Sequence, residues 1–308
     1  MTQSIAIVAE DGLLLEALLE AWQEADSLEA YTPMLLSREG SGNSCLFRNR
    51  PIAFHDLHAC KDRAFALVMV ISADEETKQW LQTLDCPIIG SASALAGLPY
   101  TYFAAQKTGI LAVLQSPSLA LQYVVQQIDC AQVNATLLMP AAYFGKPAVE
   151  ELASQTVSLL NARTVTASVF QQQLSFNIFP FSDTAFAAAI EQEWQSTLAI
   201  PRSYIHALQA SVFHGMAMQV QLELTKPYAL ESLLDQWQTN AAIAIAEVDE
   251  DCSVMNAVQL NGAIQLGCVK LTADSPQQLS LWLAFDDVQL FVQQGLISTA
   301  QLLLKHHL

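Results

Sequence analysis

The sequence predicts an α/β chain of two domains, and three observations carry that prediction. Short continuous apolar runs alternate with amphipathic helical stretches in the first part, which calls for a mostly parallel sheet covered on both faces. After Ser116 the texture changes to many strands interrupted by few helices, as in an α+β domain built on a large mixed or antiparallel sheet. At 308 residues the chain is long enough for two cores of ordinary size.

The first part opens with the apolar run Ile5 to Ala9. From Gly12 onward Leu13, Leu14, Ala17, Leu18 and Ala21 share one helical face opposite Glu16 and Glu20. Further buried strands are expected at Ala66–Ile71, Pro87–Ile89 and Ile110–Leu114, with a helix over Asp74–Gln82. Arg38 to Asn49, rich in Gly, Ser and Asn, reads as a flexible loop. In the second part, strands are expected at Ala135–Met139, Leu174–Ile178, Ala207–Val212, Met216–Leu224, Ala241–Val248, Ala263–Lys270 and Gln278–Phe285. Helices are expected near Pro147–Leu160, Asp183–Leu198 and Ala229–Gln238, and a last one over Val288–His307. Trp22, Trp80, Trp194, Trp237 and Trp282 fall at positions that packing explains, and no internal repeat is present.

Composition excludes several classes of function. A hydrophobic fraction of 52% with 14% charged residues fits a packed globular chain. No apolar run approaches the ~18 residues that a membrane crossing needs. The formal charge of −17 repels phosphate backbones and anionic membrane surfaces, so neither nucleic acid nor membrane is an expected partner. The N-terminus lacks the basic region of a signal peptide, and the six cysteines are scattered, so a cytoplasmic chain with reduced thiols is expected. His55-Asp56-Leu57-His58-Ala59-Cys60 holds metal-ligand residue types without a second cluster, and no metal is expected there.

The run Ile110 to Leu114 turns into a helix at Ser116. Such a strand-to-helix turn presents a side chain and free helix amides, which is how enzymes often display a nucleophile. Ser116 stands between Gln115 and Pro117 with no basic residue nearby in sequence to take its proton.

Four motifs in order make the chain similar to the aspartate-semialdehyde dehydrogenase family over nearly its whole length, and most of all to the USG-type paralogues of that family. They are Gly145-Lys146-Pro147-Ala148-Val149-Glu150-Glu151-Leu152 (GKxAVxEL), Phe176-Asn177-Ile178-Phe179-Pro180 (AFNxxP), Val212-Phe213-His214-Gly215 (PVxxGH) and Gly267-Cys268-Val269-Lys270 (VGxxR). The resemblance implies a Rossmann-like nucleotide-binding domain at 1–116 plus 287–308. Between those segments it implies an inserted α+β dimerisation domain of the glyceraldehyde-phosphate and semialdehyde dehydrogenase type at 117–286, with a C-terminal helix returning to the first domain. It also implies a homodimer, NADP as the cofactor if any is bound, and oxidation of an aldehyde to an acyl phosphate in amino-acid biosynthesis.

The residues that carry that chemistry do not transfer. The family's cysteine nucleophile falls on Ser116, its orienting glutamine on Met139, one substrate arginine on Gln209 and its histidine base on Met216; the second arginine falls on Ala96. An unactivated hydroxyl is a far weaker nucleophile than a thiolate. His214 precedes Met216 by two residues, about 6 to 7 Å along a strand, and reads as a structural histidine. Glu193, at the position of the family's amino-group ligand, reads as solvated helix surface.

The dinucleotide turn GATGxVG falls on Ala9-Glu10-Asp11-Gly12-Leu13-Leu14-Leu15. One glycine is kept, and two acids stand where phosphate would meet the helix, reading as caps of its dipole. Gly12, Arg38 and Ser72 are the vestigial cofactor positions. The start of the last helix, Asp286-Asp287-Val288-Gln289-Leu290-Phe291, would repel and obstruct a nucleotide. The expectation is an inactive homologue with a binding or interaction role and no bound cofactor; the alternative is an active NADP-dependent dehydrogenase.

Overall fold

The computed structural model describes residues 3–10, 12–38, 42–60, 63–102, 109–181, 183–272 and 274–305. The chain forms two compact units, Met1–Gln115 with Phe291–Leu308, and Ser116–Leu290.

The first unit is an α/β layer built on strands β1 (Gln3–Val8), β2 (Tyr31–Ser37), β3 (Ser44–Phe47), β4 (Arg50–Asp56), β5 (Leu67–Val70), β6 (Ile88–Ser91), β7 (Thr101–Tyr102) and β8 (Ile110–Val113), with helices α1 (Leu13–Glu24) and α2 (Glu75–Leu81). The strand order is β3-β4-β2-β1-β5-β6-β8-β7, parallel throughout except for the antiparallel pair β3 and β4. Its central six strands follow the doubly wound order, and the connections reverse direction between β1 and β5. Ile5, Ile7, Leu67 and Val70 are fully buried, as continuous apolar strands between two helical layers must be. Helix α1 buries Leu15, Leu18, Leu19 and Trp22.

Two expectations fail in this unit. The Arg38 to Asn49 stretch contains β3, and Arg48 and Asn49, both with positive φ (50° and 58°), make the two-residue turn of a hairpin into β4. Nor does Glu10 cap α1. Its N-cap is Gly12 in extended backbone without a side-chain hydrogen bond, Glu10 turns elsewhere, and Asp11 lies outside the described residues.

The second unit comprises α3 (Ser116–Val125), β9 (Cys130–Met139), α4 (Lys146–Leu160), β10 (Ile178–Pro180), α5 (Thr184–Thr197), β11 (Arg202–Ala210), β12 (Met216–Leu224), α6 (Leu230–Gln238), β13 (Ile243–Ile245), α7 (Val254–Ala257), β14 (Ile264–Thr272), β15 (Ser275–Phe285) and α8 (Asp287–Leu290). Its mixed seven-stranded sheet runs β10-β11-β9-β12-β15-β14-β13. Along β9, Val133, Ala135, Leu137 and Met139 alternate with the more exposed Gln132, Asn134, Thr136 and Leu138, so one face is core and the other is polar. Tyr204, His206, Gln219 and Gln221 line a shallow depression of about 470 Å³ with Asn134 and Thr136 on that polar face.

Leu174–Ile178 is not a strand. Leu174 and Ser175 give their N–H groups to Gln155 Oε1 (2.8 and 3.1 Å), Phe176 takes a positive φ of 57°, and pairing begins only at Ile178. Ala241–Val248 pairs over Ile243–Ile245 alone.

The last helix is also interrupted. Helix α8 closes the second unit, so residues 287–290 belong there and not with the first domain. Phe291–Ile297 is a π-helical turn, with Gly295 inside it and the Ser298 hydroxyl reaching back to the Gln293 carbonyl (2.8 Å), before α9 (Ser298–Leu304). The π turn packs on α1 in the first unit. His306 and His307 lie outside the described residues.

The irregular chain after α4 hangs on two side chains, Gln155 for Thr166, Leu174 and Ser175 and Glu151 for the stretch between them. Glu151 on α4 is buried, and its carboxylate accepts the Ser168, Val169 and Phe170 N–H groups (2.8, 2.7 and 3.2 Å) and the Ser168 hydroxyl. Burial alone would raise the pKa of Glu151; the hydrogen bonds from Ser168, Val169 and Phe170 together outweigh it and lower it. Glu151→Ala leaves these donors unpaired and is expected to cost about 3 kcal/mol in urea unfolding, with new proteolytic cleavage between residues 161 and 177. Cleavage and stability unchanged from the parent would refute this assignment.

Candidate functional site

At one end of the second sheet the register brings three of the four expected catalytic positions to one level. Gln209 pairs with Met139 across β11 and β9, and Ala217, next to Met216, pairs with Leu138, next to Met139. Met216 pairs with Phe285 across β12 and β15. Strand periodicity puts Met139, Gln209, Met216 and Phe285 on the core face, and all four are buried. The Gln209 amide donates from Nε2 to the Met139 carbonyl at 3.1 Å, so its polar head is committed to backbone. Thioethers at Met139 and Met216 offer only weak acceptors.

Ser116, the fourth position, begins α3 and is buried. Its hydroxyl donates to the Asp287 carbonyl at 2.6 Å. A carbonyl holds that hydrogen in place and has no capacity to remove it as a base would. His214 lies in the bend before β12 and is exposed, so the two-residue strand geometry expected for it does not apply.

Beyond Met139 the chain turns through Ala141–Phe144, and Tyr143 enters an aromatic cluster that the sequence did not disclose. Its ring meets Phe144, Phe181 and Phe186 edge to face, with centroids 5.2, 6.5 and 5.3 Å away. Desolvation, followed by the carboxylates of Asp287, Asp183 and Glu193, raises the phenol well above its ordinary range. Glu193 is fully buried, which corrects its reading as solvated surface. Asp183 accepts the Ala185 and Phe186 N–H groups and so caps α5. Asp286 caps α8 in the same way, through Val288 and Gln289.

Arg38 and Ser72 come together in the first unit, where they line a crevice of about 280 Å³ at the end of β1 with Glu10, Ser37 and Asp74. The Ser37 hydroxyl donates to Glu10 Oε1 (2.9 Å), and the Glu10 N–H donates to Ser72 Oγ (3.2 Å). Arg38 is paired with Asp74 (2.8 Å) and Glu76 (3.2 Å). The Thr77 amide above all, then Arg38, lowers the Asp74 pKa to about 2. Gly12 does not line the crevice, and a Cβ built on it would meet nothing within 4 Å. His58 pairs with Glu76 (3.2 Å), and no group of three metal-ligating side chains is assembled among the described residues. No helix among them is long and apolar enough to cross a membrane.

The family model described as semialdehyde dehydrogenase, dimerisation domain, matches residues 124–290, more than half of the chain. The chain belongs to that family. Among its relatives is a USG-1 protein homolog of Pseudomonas aeruginosa, 25% identical over 334 residues and covering 99% of this chain and 98% of that protein. The aspartate-semialdehyde dehydrogenase of Legionella pneumophila is 20% identical, covering 99% of this chain and 96% of its own length. Among solved structures, a probable aspartate-semialdehyde dehydrogenase from Pseudomonas aeruginosa superposes with a TM-score of 0.88 over the whole of both chains at 23% identity. Aspartate semialdehyde dehydrogenase II of Vibrio cholerae superposes with 0.86 at 19% identity, again over both chains in full. These likenesses establish a shared fold.

Within this semialdehyde dehydrogenase family member, Asp287 is the unusual group. It is 7% exposed, and its Oδ1 has no hydrogen-bond partner among the described residues. Burial, with Asp286 adding to it, pushes its pKa up to about 7. The folded state therefore holds a proton that the unfolded chain releases near pH 4, and stability falls as pH rises from about 4 to 7. Relative to the parent, Asp287→Asn is expected to gain stability across that window by up to roughly 1.4 kcal/mol per pH unit, levelling off above pH 7. Denaturant unfolding of both proteins at a series of pH values measures the difference; a difference that does not vary with pH would refute it.

Proposed function

We propose that this protein is a catalytically retired member of the semialdehyde dehydrogenase family that works by binding or interaction, as a homodimer. One observation carries the reading. At the four positions where the reacting groups would stand, the polar heads are spent on backbone carbonyls, Ser116 on Asp287 and Gln209 on Met139, and the other two are methionines. Aldehyde oxidation through a covalent adduct needs a nucleophile, a base and cationic clamps acting together, and replacing one at a time restores little.

The first unit fits a phosphorylated dinucleotide poorly. Glu10 and Asp74 put carboxylates into the crevice, and Arg38 is already paired with Asp74 and Glu76. A phosphate there would have to displace these partners and face the Glu10 carboxylate. The dimer reading is supported by the polar, largely uncharged face of the second sheet, where Asn134, Thr136, Tyr204, His206, Gln219 and Gln221 can meet their own copies without like-charge repulsion.

Mixing the protein with NADP, inorganic phosphate and aspartate semialdehyde is expected to give no reduced-cofactor absorbance above the protein-free control. Ser116→Cys alone is expected to remain inactive. Turnover by the parent that Ser116→Ala abolishes would replace this reading with that of an active NADP-dependent dehydrogenase. Light scattering at micromolar concentration is expected to report twice the chain mass, and a stable monomer would remove the dimer.

A further inference from the structure

Two of the six cysteines, scattered in sequence, are drawn together at the far side of the second sheet. Asp249 ties them: its carbonyl accepts the Cys252 N–H at 3.1 Å, and its Oδ1 accepts the Cys268 N–H at 2.6 Å. Cys252 then lies directly against β14. A Cβ built on Gly267, the neighbour of Cys268, would be 2.6 Å from the Cys252 Cβ and 3.1 Å from its Sγ.

The strand is irregular at this point. The register of β14 on β15 slips between Gly267 and Lys270, and Cys268 sits in the slip with a left-handed φ of 51°. An L-residue there carries a steric cost that glycine would not, and the residue that bears it is a cysteine one step along β14 from the glycine that Cys252 packs against. Cys252 is buried and Cys268 partly exposed, so a small solute reaches Cys268 first. Burial, then Cys268 and Asp249, push the Cys252 thiol up to about 12, and it donates to the Gln265 and Trp282 carbonyls (3.6 and 3.8 Å), so Cys252 is not the first attacker.

We propose that Cys268 and Cys252 form an oxidisable dithiol that takes a hydroperoxide and closes to a disulfide. The Cys268 thiolate attacks the terminal peroxide oxygen; the S–O bond forms, the O–O bond breaks, and hydroxide or an alkoxide leaves and takes a proton to become water or an alcohol. The Cys252 thiol then attacks the sulfenic sulfur; the S–S bond forms, the S–O bond breaks, and the hydroxide leaves with the Cys252 proton as water. The two thiols lose two electrons and two protons, and the peroxide is reduced by two electrons. The bond ties the start of the α7 segment to the bulge in β14.

The test treats the whole protein with a small excess of hydrogen peroxide, alkylates the remaining thiols, digests without reductant and weighs the peptides. The Cys252 and Cys268 peptides are expected as one cross-linked species lighter by two hydrogens, with Cys45 and Cys86 alkylated and the oxidised protein melting at a higher temperature. In Cys252→Ala the same treatment is expected to leave a sulfenic acid at Cys268 that a cyclic 1,3-dione traps. Cys268→Gly, which suits the backbone at that position, is expected to fold and to lose both the cross-link and the thermal shift. Recovery of Cys252 and Cys268 as alkylated thiols at a dose that oxidises Cys45 or Cys86 would overturn the proposal. So would conversion of Cys268 to a sulfinic acid beside a free Cys252, or a cross-link from Cys252 that survives Cys268→Gly.

Discussion

The hydrogen bond from Ser116 to the carbonyl of Asp287 joins two residues 171 positions apart, at the point where the chain enters the second unit and the point where it prepares to leave. An inserted domain has two crossings, and unless they are held side by side its ends fray independently. Here a buried hydroxyl donates across them at 2.6 Å, and α3 packs against α8 around that bond. A side chain placed like a nucleophile therefore serves as a staple, and the sheet behind it, with Met139, Gln209, Met216 and Phe285 at one level, inherits a closed base.

The same demand, that a buried polar atom find a partner, accounts for several polar side chains in the second unit. Gln209 satisfies it through Met139, Gln155 through Leu174 and Ser175, Glu151 through the loop amides, and Trp237 through the Val124 carbonyl. Asp287 does so only in part: its backbone carbonyl is used while its carboxyl is left with an unpaired oxygen. Protonation is the cheapest remedy open to such a group, and it explains why this carboxyl titrates near neutrality.

Much of this fold was legible in the residues. Continuous apolar runs located β1, β5, β6 and β8 within a residue or two, because strands buried on both faces leave no room for polar side chains. Helical periodicity found α1, α4, α5 and α6. The β3–β4 hairpin escaped, since its turn is Arg48-Asn49 with no glycine and its edge strands carry polar residues. Leu174–Ile178 misled because its apolar content serves a turn held by Gln155. Of the proposed site, motif order singled out Ser116, Met139, Gln209 and Met216, whereas what their polar atoms bond to was invisible. The Tyr143 cluster and the two thiols around Asp249 join residues distant in sequence, and no local pattern encodes such meetings.

The π turn at Phe291–Ile297 has a bearing on how this chain tolerates change in length. A π turn stores surplus backbone inside a helix while the flanking turns keep their facing, so Leu303 and Leu304 stay inward although the segment before them is over-long. Removing a single residue there would release the surplus, tighten the coil to α geometry and leave everything downstream facing as it does now. A residue removed from α9, where no surplus is stored, would instead swing the side chains beyond it by about 100°, turning Leu302, now 49% exposed, toward the interior as Leu303 left it. The C-terminal segment thus keeps its slack in one place, and loss of one residue should be far more welcome in the π turn than in α9.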